Sequence, residues 1–188
     1  MITPIQTHYK SYWFRSRLEA RWAVFFDAAG IRWLYEQQGF NVNGKSYLPD
    51  FYLPDFGYFE VRGRYQYDNE LMQSFADEIG EPLFVAFEEI PDPESNAGYL
   101  KSFIPKNYEA DSTMYWGFDD MFLECDGCGK ITIQNTAYCT IKSNCCEGCR
   151  EMSLSHALAK GRSARFEHGQ NPSTSQVNPR NHMILNDS

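Results

Sequence analysis

The stretch LPDFYLPDFGYFEVRG, residues 48 to 63, constrains the fold of this chain most, because the same four residues occur twice in close succession. The second copy runs into Gly57, so that Pro54-Asp55-Phe56-Gly57 carries proline early and glycine late, as tight turns do. Short runs of β-branched and aromatic residues flank the turn. We therefore predict two strands, Tyr47 to Leu53 and Tyr58 to Arg62, joined as a β-hairpin.

The hairpin brings acidic residues together. With its turn at 54 to 57, Asp50 lies roughly opposite Glu60, within about one residue of register. Arg62 is two residues beyond Glu60 on the same strand and projects to the same face. Carboxylate oxygens that converge in this way suit Mg²⁺, which takes its remaining ligands from water and phosphate.

The two aspartates of the repeat have different expected roles. Asp55 lies in the turn beside Gly57, where an aspartate commonly caps the turn through its side chain. A metal pair of Asp55 and Glu60 would require both side chains to point from a tight bend to one side. Geometry therefore favours Asp50 as the functional residue of the pair.

A helix is predicted over Ser16 to Ala29, because apolar residues recur at spacings of three and four and Gly30 follows the last of them. Ser16 and Glu19 fit a capping box. Glu19 is then either a capping residue alone or a carboxylate angled toward the sheet, and the sequence leaves both readings open. Three arginines on this helix form a basic flank suited to DNA phosphates, or else an ordinary solvated face: Arg15, Arg17 and Arg21.

The rest of the first half alternates strands and helices. A strand is predicted over Ile31 to Glu36, a turn or short hairpin over Gly39 to Ser46, and a helix over Asp68 to Ile79 that ends at Gly80. Pro82 to Phe87 follows as an apolar strand. This order predicts an α/β fold in which the second helix crosses over to a parallel strand.

The first half also resembles a known superfamily. The matching segments are FRSRLEARWA from Phe14, the pair Tyr35-Glu36, YLPDF from Tyr47 and FEVRG from Phe59. Together they resemble phage-type members of the PD-(D/E)XK, or restriction-endonuclease-like, nuclease superfamily. The resemblance implies a mixed sheet flanked by helices, a DNA endonuclease activity, and Mg²⁺ or Mn²⁺ held by Glu19, Asp50 and Glu60.

Arg62 departs from that pattern, since the family places a lysine two residues after the glutamate. Arginine can offset charge at a phosphate through its planar guanidinium, but it effectively never deprotonates. No lysine lies between Lys45 and Lys101 that could replace it from the second helix. The sequence therefore leaves open whether the site cleaves DNA, with Arg62 as a catalytic residue, or is a catalytically silent relic.

The six cysteines all lie between Cys125 and Cys149. Two CxxC pairs are separated by seventeen residues, the spacing of a four-cysteine zinc site: Cys125, Cys128, Cys146 and Cys149. Cys145 competes with Cys146 for the third ligand position, and Cys139 is left over. The pattern resembles a zinc ribbon, in which a closed four-sulfur site makes the zinc structural.

Domain boundaries follow from composition. We predict a nuclease-like domain over residues 1–105, a zinc-ribbon module over 115–160, and a polar, disordered tail over 161–188. The net charge of −8 is concentrated in residues 66–124, which hold two basic and fourteen acidic residues. DNA would then contact the two ends of the sequence rather than its middle.

No apolar run is long enough to cross a bilayer, and the N-terminus lacks a signal peptide, so we expect no membrane association and a location in the cytoplasm of a bacterial or phage-infected cell. The leading function hypothesis is an Mg²⁺-dependent DNA endonuclease whose zinc ribbon helps to engage DNA. The alternative is a catalytically silent DNA-binding or adaptor protein, with a protein partner at the ribbon. A homodimer is compatible with the need to cut two strands, but no residue pattern demonstrates one.

Overall fold

The computed structural model describes residues 5–94, 99–107, 120–135 and 151–166. Its helices are α1 Arg17–Ala29, α2 Asn69–Ile79 and α3 Ser155–Ser163. Its strands are β1 Thr7–Tyr9, β2 Tyr12–Phe14, β3 Leu34–Tyr35, β4 Phe40–Val42, β5 Lys45–Tyr47, β6 Phe51–Leu53, β7 Gly57–Arg62, β8 Leu83–Phe87, β9 Leu100–Phe103, β10 Asp120–Cys125, β11 Ile131–Asn135 and β12 Glu151–Ser153.

A mixed sheet forms the centre of the molecule, as the α/β prediction requires. Its strand order is β11-β10-β9-β8-β7-β6-β3, and β12 pairs with β10. The β7–β8 pair is parallel and the other pairs are antiparallel. Helix α2 makes the crossover between the two parallel strands, as predicted. The finer assignment of this sheet as restriction-endonuclease-like stays a prediction.

Helices α1 and α2 begin and end where their capping residues require. The Ser16 side chain accepts a hydrogen bond from the backbone N–H of Glu19, and Asp68 does the same for Leu71. Gly30 and Gly80 follow the helices in the left-handed conformation, with φ of 72° and 77°. Both predicted helices are therefore confirmed to within one residue.

The predicted strand from Tyr47 to Leu53 is wrong in one respect, because it is two strands. Strand β5 ends at Tyr47, β6 begins at Phe51, and Pro49 lies between them. Proline has no backbone N–H and disfavours continued pairing, so the chain leaves the β4–β5 hairpin and joins the central sheet. The predicted turn at Gly39 to Ser46 is this hairpin, closed by Asn43 and Gly44 with positive φ.

Two apolar clusters cover the two faces of the sheet. Residues of β8 alternate between them: Phe84 and Ala86 belong to the cluster with α1 and α3, and Leu83 and Val85 to the cluster with α2 and the β4–β5 hairpin. Burial on both faces explains why β8 is apolar throughout. The result is a layered arrangement in which α1 and α3 lie on one side of the sheet and α2 on the other.

The later part of the chain contributes to the same sheet and core. Strand β10 pairs with β9, β11 and β12, and Phe122 and Leu158 are fully buried in the α1 cluster. Helix α3 continues past residue 161, where the polar tail was predicted to begin. Ala164 and Phe166, which follow the end of the helix, are also buried. Residues 167–188 lie outside the described residues. Within the part that the structure describes, no helix is both long and apolar enough to cross a bilayer.

Candidate active site

Asp50 lies in the break between β5 and β6, next to β7. The β6–β7 register pairs Phe51 with Phe59, so Asp50 falls opposite Glu60 as predicted. The residue is 2% exposed, and its Oδ2 accepts a hydrogen bond of 2.7 Å from the backbone N–H of Val61. The other oxygen, Oδ1, lies 2.5 Å from Nη2 of Arg15.

Glu60 is the second buried carboxylate, on β7, with 4% of the residue exposed. Its Oε2 accepts a 3.1 Å hydrogen bond from the hydroxyl of Tyr47, and its Oε1 lies 2.7 Å from Nη2 of Arg62. The ion pair confirms that Glu60 and Arg62 project to the same side of the strand.

Glu19, near the start of α1, is the third buried carboxylate. Its Oε1 accepts a 2.7 Å hydrogen bond from the hydroxyl of Ser16, and its Oε2 accepts one of 2.6 Å from the hydroxyl of Tyr35 and one of 3.1 Å from the backbone N–H of Arg15. Ser16 is therefore the N-cap of α1, as predicted. Glu19 also acts on the site, because its charge is among the causes that raise the pKa of Asp50.

Burial makes Asp50 and Glu60 costly to ionise. Burial raises the pKa of Asp50 well above its ordinary value, and the nearby charges of Glu60 and Glu19 raise it further against the Val61 N–H and Arg15. Burial likewise raises the pKa of Glu60, although Arg62 and Tyr47 oppose the shift. Neighbouring carboxylates with raised pKa values, such as Asp50 and Glu60, are typical of functional sites.

Two arginines supply the positive charge beside the carboxylates. Arg15 bridges Asp50 and Glu36, with its Nε 2.6 Å from Oε1 of Glu36. Partial burial lowers the pKa of Arg15, but Asp50 and Glu36 outweigh it and raise the net value. The side chains of Arg15 and Arg62 are 50% and 39% exposed, so each guanidinium lies between buried carboxylates and solvent.

Glu36 belongs to this group through its ion pair with Arg15. Its backbone N–H donates a 2.9 Å hydrogen bond to the carbonyl of Asp50, and its φ of 44° is left-handed. That conformation is costly for a residue with a Cβ, and such strain persists where the surrounding structure enforces it. Glu36 therefore fixes the position of Asp50 through the backbone and that of Arg15 through the side chain.

The other predicted site residues lie elsewhere. Arg21 donates from Nε to the carbonyl of Ala164 at 3.2 Å, so it joins α1 to the end of α3. Arg17 is partly buried on α1. Asp55 forms a two-pronged ion pair with Arg32 at 2.6 and 3.2 Å, on the exposed turn. It takes no part in the carboxylate group, and the choice of Asp50 over Asp55 agrees with this placement.

Two tyrosines of the site were not predicted. Tyr35 and Tyr47 stand in the quoted motifs, but only their tertiary positions bring their hydroxyls to Glu19 and Glu60. In the sequence, Tyr35 precedes Glu36 and Tyr47 precedes Leu48-Pro49-Asp50, and this closeness to acidic residues was the one available indication that the tyrosines belong to the site. Burial and the carboxylates raise the pKa of Tyr47, so it remains a hydrogen-bond donor.

The first cysteine pair follows the end of β10. The backbone N–H of Cys128 donates to Sγ of Cys125 at 3.4 Å, and that of Gly129, with φ of 70°, donates to the carbonyl of Cys125 at 2.8 Å. Amides that point at a sulfur in a tight turn are the arrangement expected of a zinc knuckle. Cys139, Cys145, Cys146 and Cys149 lie outside the described residues.

Over residues 5–94, 99–107, 120–135 and 151–166, no group of three or more His, Cys, Asp or Glu side chains is arranged to hold a metal ion. Arginine nitrogens contact Asp50 and Glu60 directly in this conformation. Comparison of the chain with protein-family models, curated proteins and solved structures gave no match.

Proposed function

We propose that the protein is a metal-dependent deoxyribonuclease that hydrolyses phosphodiester bonds in DNA. The observation that carries the proposal is the buried acidic group itself: Asp50 before β6, Glu60 on β7 and Glu19 on α1, with arginines between Asp50 and Glu60 and solvent. The resemblance of the same residues to PD-(D/E)XK nucleases gives the reaction. Neither a buried acidic group nor a resemblance would be sufficient alone.

The donor chemistry of the site fits Mg²⁺ or Mn²⁺. All three side chains offer carboxylate oxygens, which hard cations prefer, and their mutual repulsion would be relieved by a bound cation. A bound divalent ion supplies Lewis-acid stabilisation of the phosphate and lowers the pKa of a coordinated water. For such an ion to reach Asp50 and Glu60, the half-exposed side chains of Arg15 and Arg62 must move outward.

Movement of the arginines is compatible with DNA binding. The oxygens of a phosphate offer each guanidinium a charge-assisted partner in place of the carboxylate that it contacts now. Arg62 has a buried Nε with no hydrogen-bond partner among the described residues, a donor left over for such a contact. In this proposal Arg62 stabilises charge on the phosphate and does not remove a proton, because guanidinium remains protonated.

The zinc ribbon belongs to the same proposal. A structural Zn²⁺ held by Cys125, Cys128, Cys146 and Cys149 would stabilise the chain beyond β10 and present the neighbouring basic residues to DNA. The knuckle geometry at Cys125 and Cys128 supports this assignment. A protein partner at the ribbon and a homodimer remain secondary proposals.

A catalytically silent DNA-binding or adaptor protein is the second candidate. It is favoured by one specific observation: Arg15 and Arg62 already neutralise Asp50 and Glu60 without a metal ion. Such internal ion pairs would stabilise the fold after loss of the family lysine.

Cleavage assays separate these candidates. Plasmid, branched and single-stranded DNA are incubated with the protein and Mg²⁺ or Mn²⁺, beside Asp50→Ala and the matched control Asp55→Ala from the second copy of the motif. The nuclease predicts cleavage of at least one substrate, a loss of about a hundredfold or more in Asp50→Ala, and little change in Asp55→Ala. Equal cleavage by all three proteins, or none by the wild type, rejects it.

A further inference from the structure

An exposed aromatic surface lies on the β1–β2 hairpin. In this hairpin His8 is the direct cross-strand partner of Trp13, and their ring centroids are 5.1 Å apart at 52°. Thr7, Tyr9 and Phe14 are buried, so His8 and Trp13 occupy the outward face. Trp13 is 67% exposed, more than the other large apolar side chains whose surroundings the structure describes.

The hairpin leads directly into the candidate active site. Phe14, the residue after Trp13, is fully buried against Tyr35 with ring centroids 4.4 Å apart. The next residue is Arg15, whose guanidinium contacts Asp50. Because Phe14 is anchored in the core, Trp13 is held at a short, fixed chain distance from the arginine.

A second exposed aromatic residue follows the other arginine. Tyr65 is 57% exposed, three residues after Arg62, and its ring packs against Phe87 with centroids 4.8 Å apart. Each of the two arginines of the site therefore has an exposed, supported aromatic ring close to it in the chain. Asp50 and Glu60, which these arginines contact, are buried, whereas the side chains of Arg15 and Arg62 are 50% and 39% exposed, so each ring has a partly exposed cation close to it in the chain.

Single-stranded DNA matches this combination of rings and cations. An unpaired base has a free π-face that stacks on tryptophan, tyrosine or histidine, whereas both faces of a base inside a duplex are covered by its neighbours. Guanidinium groups beside the rings suit the backbone phosphates. Stacking does not depend on base identity, so the surface would tolerate any sequence.

We propose that the Trp13–His8 surface, with Tyr65 as a second platform, binds unpaired bases of a DNA strand, so that the substrate is single-stranded next to the phosphate held by Arg15 and Arg62. The inference rests on the proposed function only in that the phosphodiester bond is then cleaved. Binding of the strand is a separate property and can be measured by itself.

Fluorescence anisotropy provides the test, without added divalent cations so that no cleavage occurs. A labelled single-stranded oligonucleotide is compared with its duplex for the wild type, Trp13→Ala, Tyr65→Ala and Trp13→Phe, which retains a stacking ring. Leu34→Ala is the matched control, since Leu34 is also exposed but precedes Tyr35 and so projects to the opposite face of its strand. Thermal melting of each variant verifies the fold.

We expect the wild type to prefer the single strand, and Trp13→Ala to bind it about five- to a hundredfold more weakly, which corresponds to one lost base–aromatic stack. Tyr65→Ala should weaken binding in the same direction, while Trp13→Phe and Leu34→Ala stay within about threefold of the wild type. Equal weakening for single strand and duplex, or no change in Trp13→Ala, overturns the proposal, as does a wild type that prefers duplex.

The outcomes distinguish the two proposals. If cleavage depends on Asp50 but Trp13→Ala binds single-stranded DNA as well as the wild type does, the nuclease proposal is supported and the aromatic binding surface is rejected. If single-strand binding depends on Trp13 but no DNA is cleaved with either metal ion, the aromatic binding surface is supported and the nuclease proposal is rejected.

Discussion

At the scale of residues, the site pairs buried carboxylates with two arginines whose side chains are partly exposed. Asp50 and Glu60 each keep one oxygen on a fixed donor, the Val61 N–H or the Tyr47 hydroxyl, and one on an arginine. The fixed donors orient the carboxylates. In the proposed nuclease, a divalent cation would take the place of the arginine nitrogens at Asp50 and Glu60.

The role of Arg62 distinguishes the proposed nuclease from a catalytically silent protein. If it stabilises a phosphate, Arg62→Gln should lower the cleavage rate by about a hundredfold, the usual loss for one charge-stabilising donor, while Arg62→Lys keeps the charge and should cleave at least as fast as the wild type. Single-turnover cleavage measures both. Arg32→Gln, which removes the exposed partner of Asp55, serves as control. Cleavage that is unaffected by Arg62→Gln would contradict this role.

The raised pKa of Asp50 has a consequence for stability. A carboxyl whose pKa is higher in the folded state binds more protons there, so its contribution to stability falls as pH rises from about 4 through the folded pKa. Asp50→Asn removes that loss. Its melting temperature relative to the wild type should therefore increase between about pH 4 and pH 8, as calorimetry can measure. If the melting temperature of Asp50→Asn relative to the wild type decreased as the pH rises, the raised pKa of Asp50 would be contradicted.

At the scale of elements, the repeated motif separates into a linker and a turn. Pro49 and Asp50 connect two strands of different sheets, whereas Pro54 to Gly57 closes the β6–β7 hairpin. The turn is also anchored to the crossover, since the N–H of Tyr58 donates to the carbonyl of Pro82 at 2.8 Å.

Gly57 tests that anchor. Its φ is 114°, and a Cβ there would lie 2.5 Å from the Pro82 carbonyl oxygen. Because both the backbone strain and the clash must be relieved, Gly57→Ala should lower the free energy of unfolding by at least about 2 kcal/mol. Chemical denaturation measures the change, with Gly39→Ala as control because no atom lies within 4 Å of a Cβ at Gly39. Equal effects of the two substitutions would show that the close approach is not maintained.

At the scale of the whole molecule, α3 and β10 connect the later part of the chain to the site-bearing helix. A Cβ at Gly161 would lie 3.0 Å from the carbonyl oxygen of Arg21 and 3.1 Å from Cβ of Phe25. Glu19 lies on the same helix as these contacts. The position of α1, and with it one carboxylate of the site, is therefore supported by residues far away in the sequence.

Gly161→Val should force α1 and α3 apart and cost about 1–3 kcal/mol of stability, the usual range for overpacking. Lys160→Ala, at an exposed position of the same helix, is the control and should change stability by less than about 0.5 kcal/mol. Denaturation midpoints give both values. If Gly161→Val matched the control, the close packing of α3 on α1 would be refuted.

The zinc assignment predicts one Zn²⁺ per chain by elemental analysis. Cys125→Ser should lose the metal and lower the melting temperature by about 5 °C or more, because β10 ends at the first knuckle. Cys139→Ser lies outside the predicted ligand set and should retain the metal. Wild-type protein purified without zinc, or loss of zinc from both variants alike, would be inconsistent with the four predicted ligands.

Local chemistry was enough to predict many features of the fold. The caps at Ser16 and Asp68, the glycines after both helices and the turn at Pro54 to Gly57 depend on neighbouring residues only, and all are present. The opposition of Asp50 and Glu60 also followed from the sequence, because hairpin register is set by its turn.

Only the tertiary structure could decide what surrounds those carboxylates. Arg15, Tyr35 and Tyr47 reach the site from other elements, and α3, most of which falls inside the predicted zinc-ribbon module, packs against α1. Such contacts join residues that are distant in the chain, and no local periodicity or spacing encodes them. The sequence by itself determined which carboxylates face each other, whereas long-range packing decided that they are buried and held by two arginines, since burial depends on the whole core.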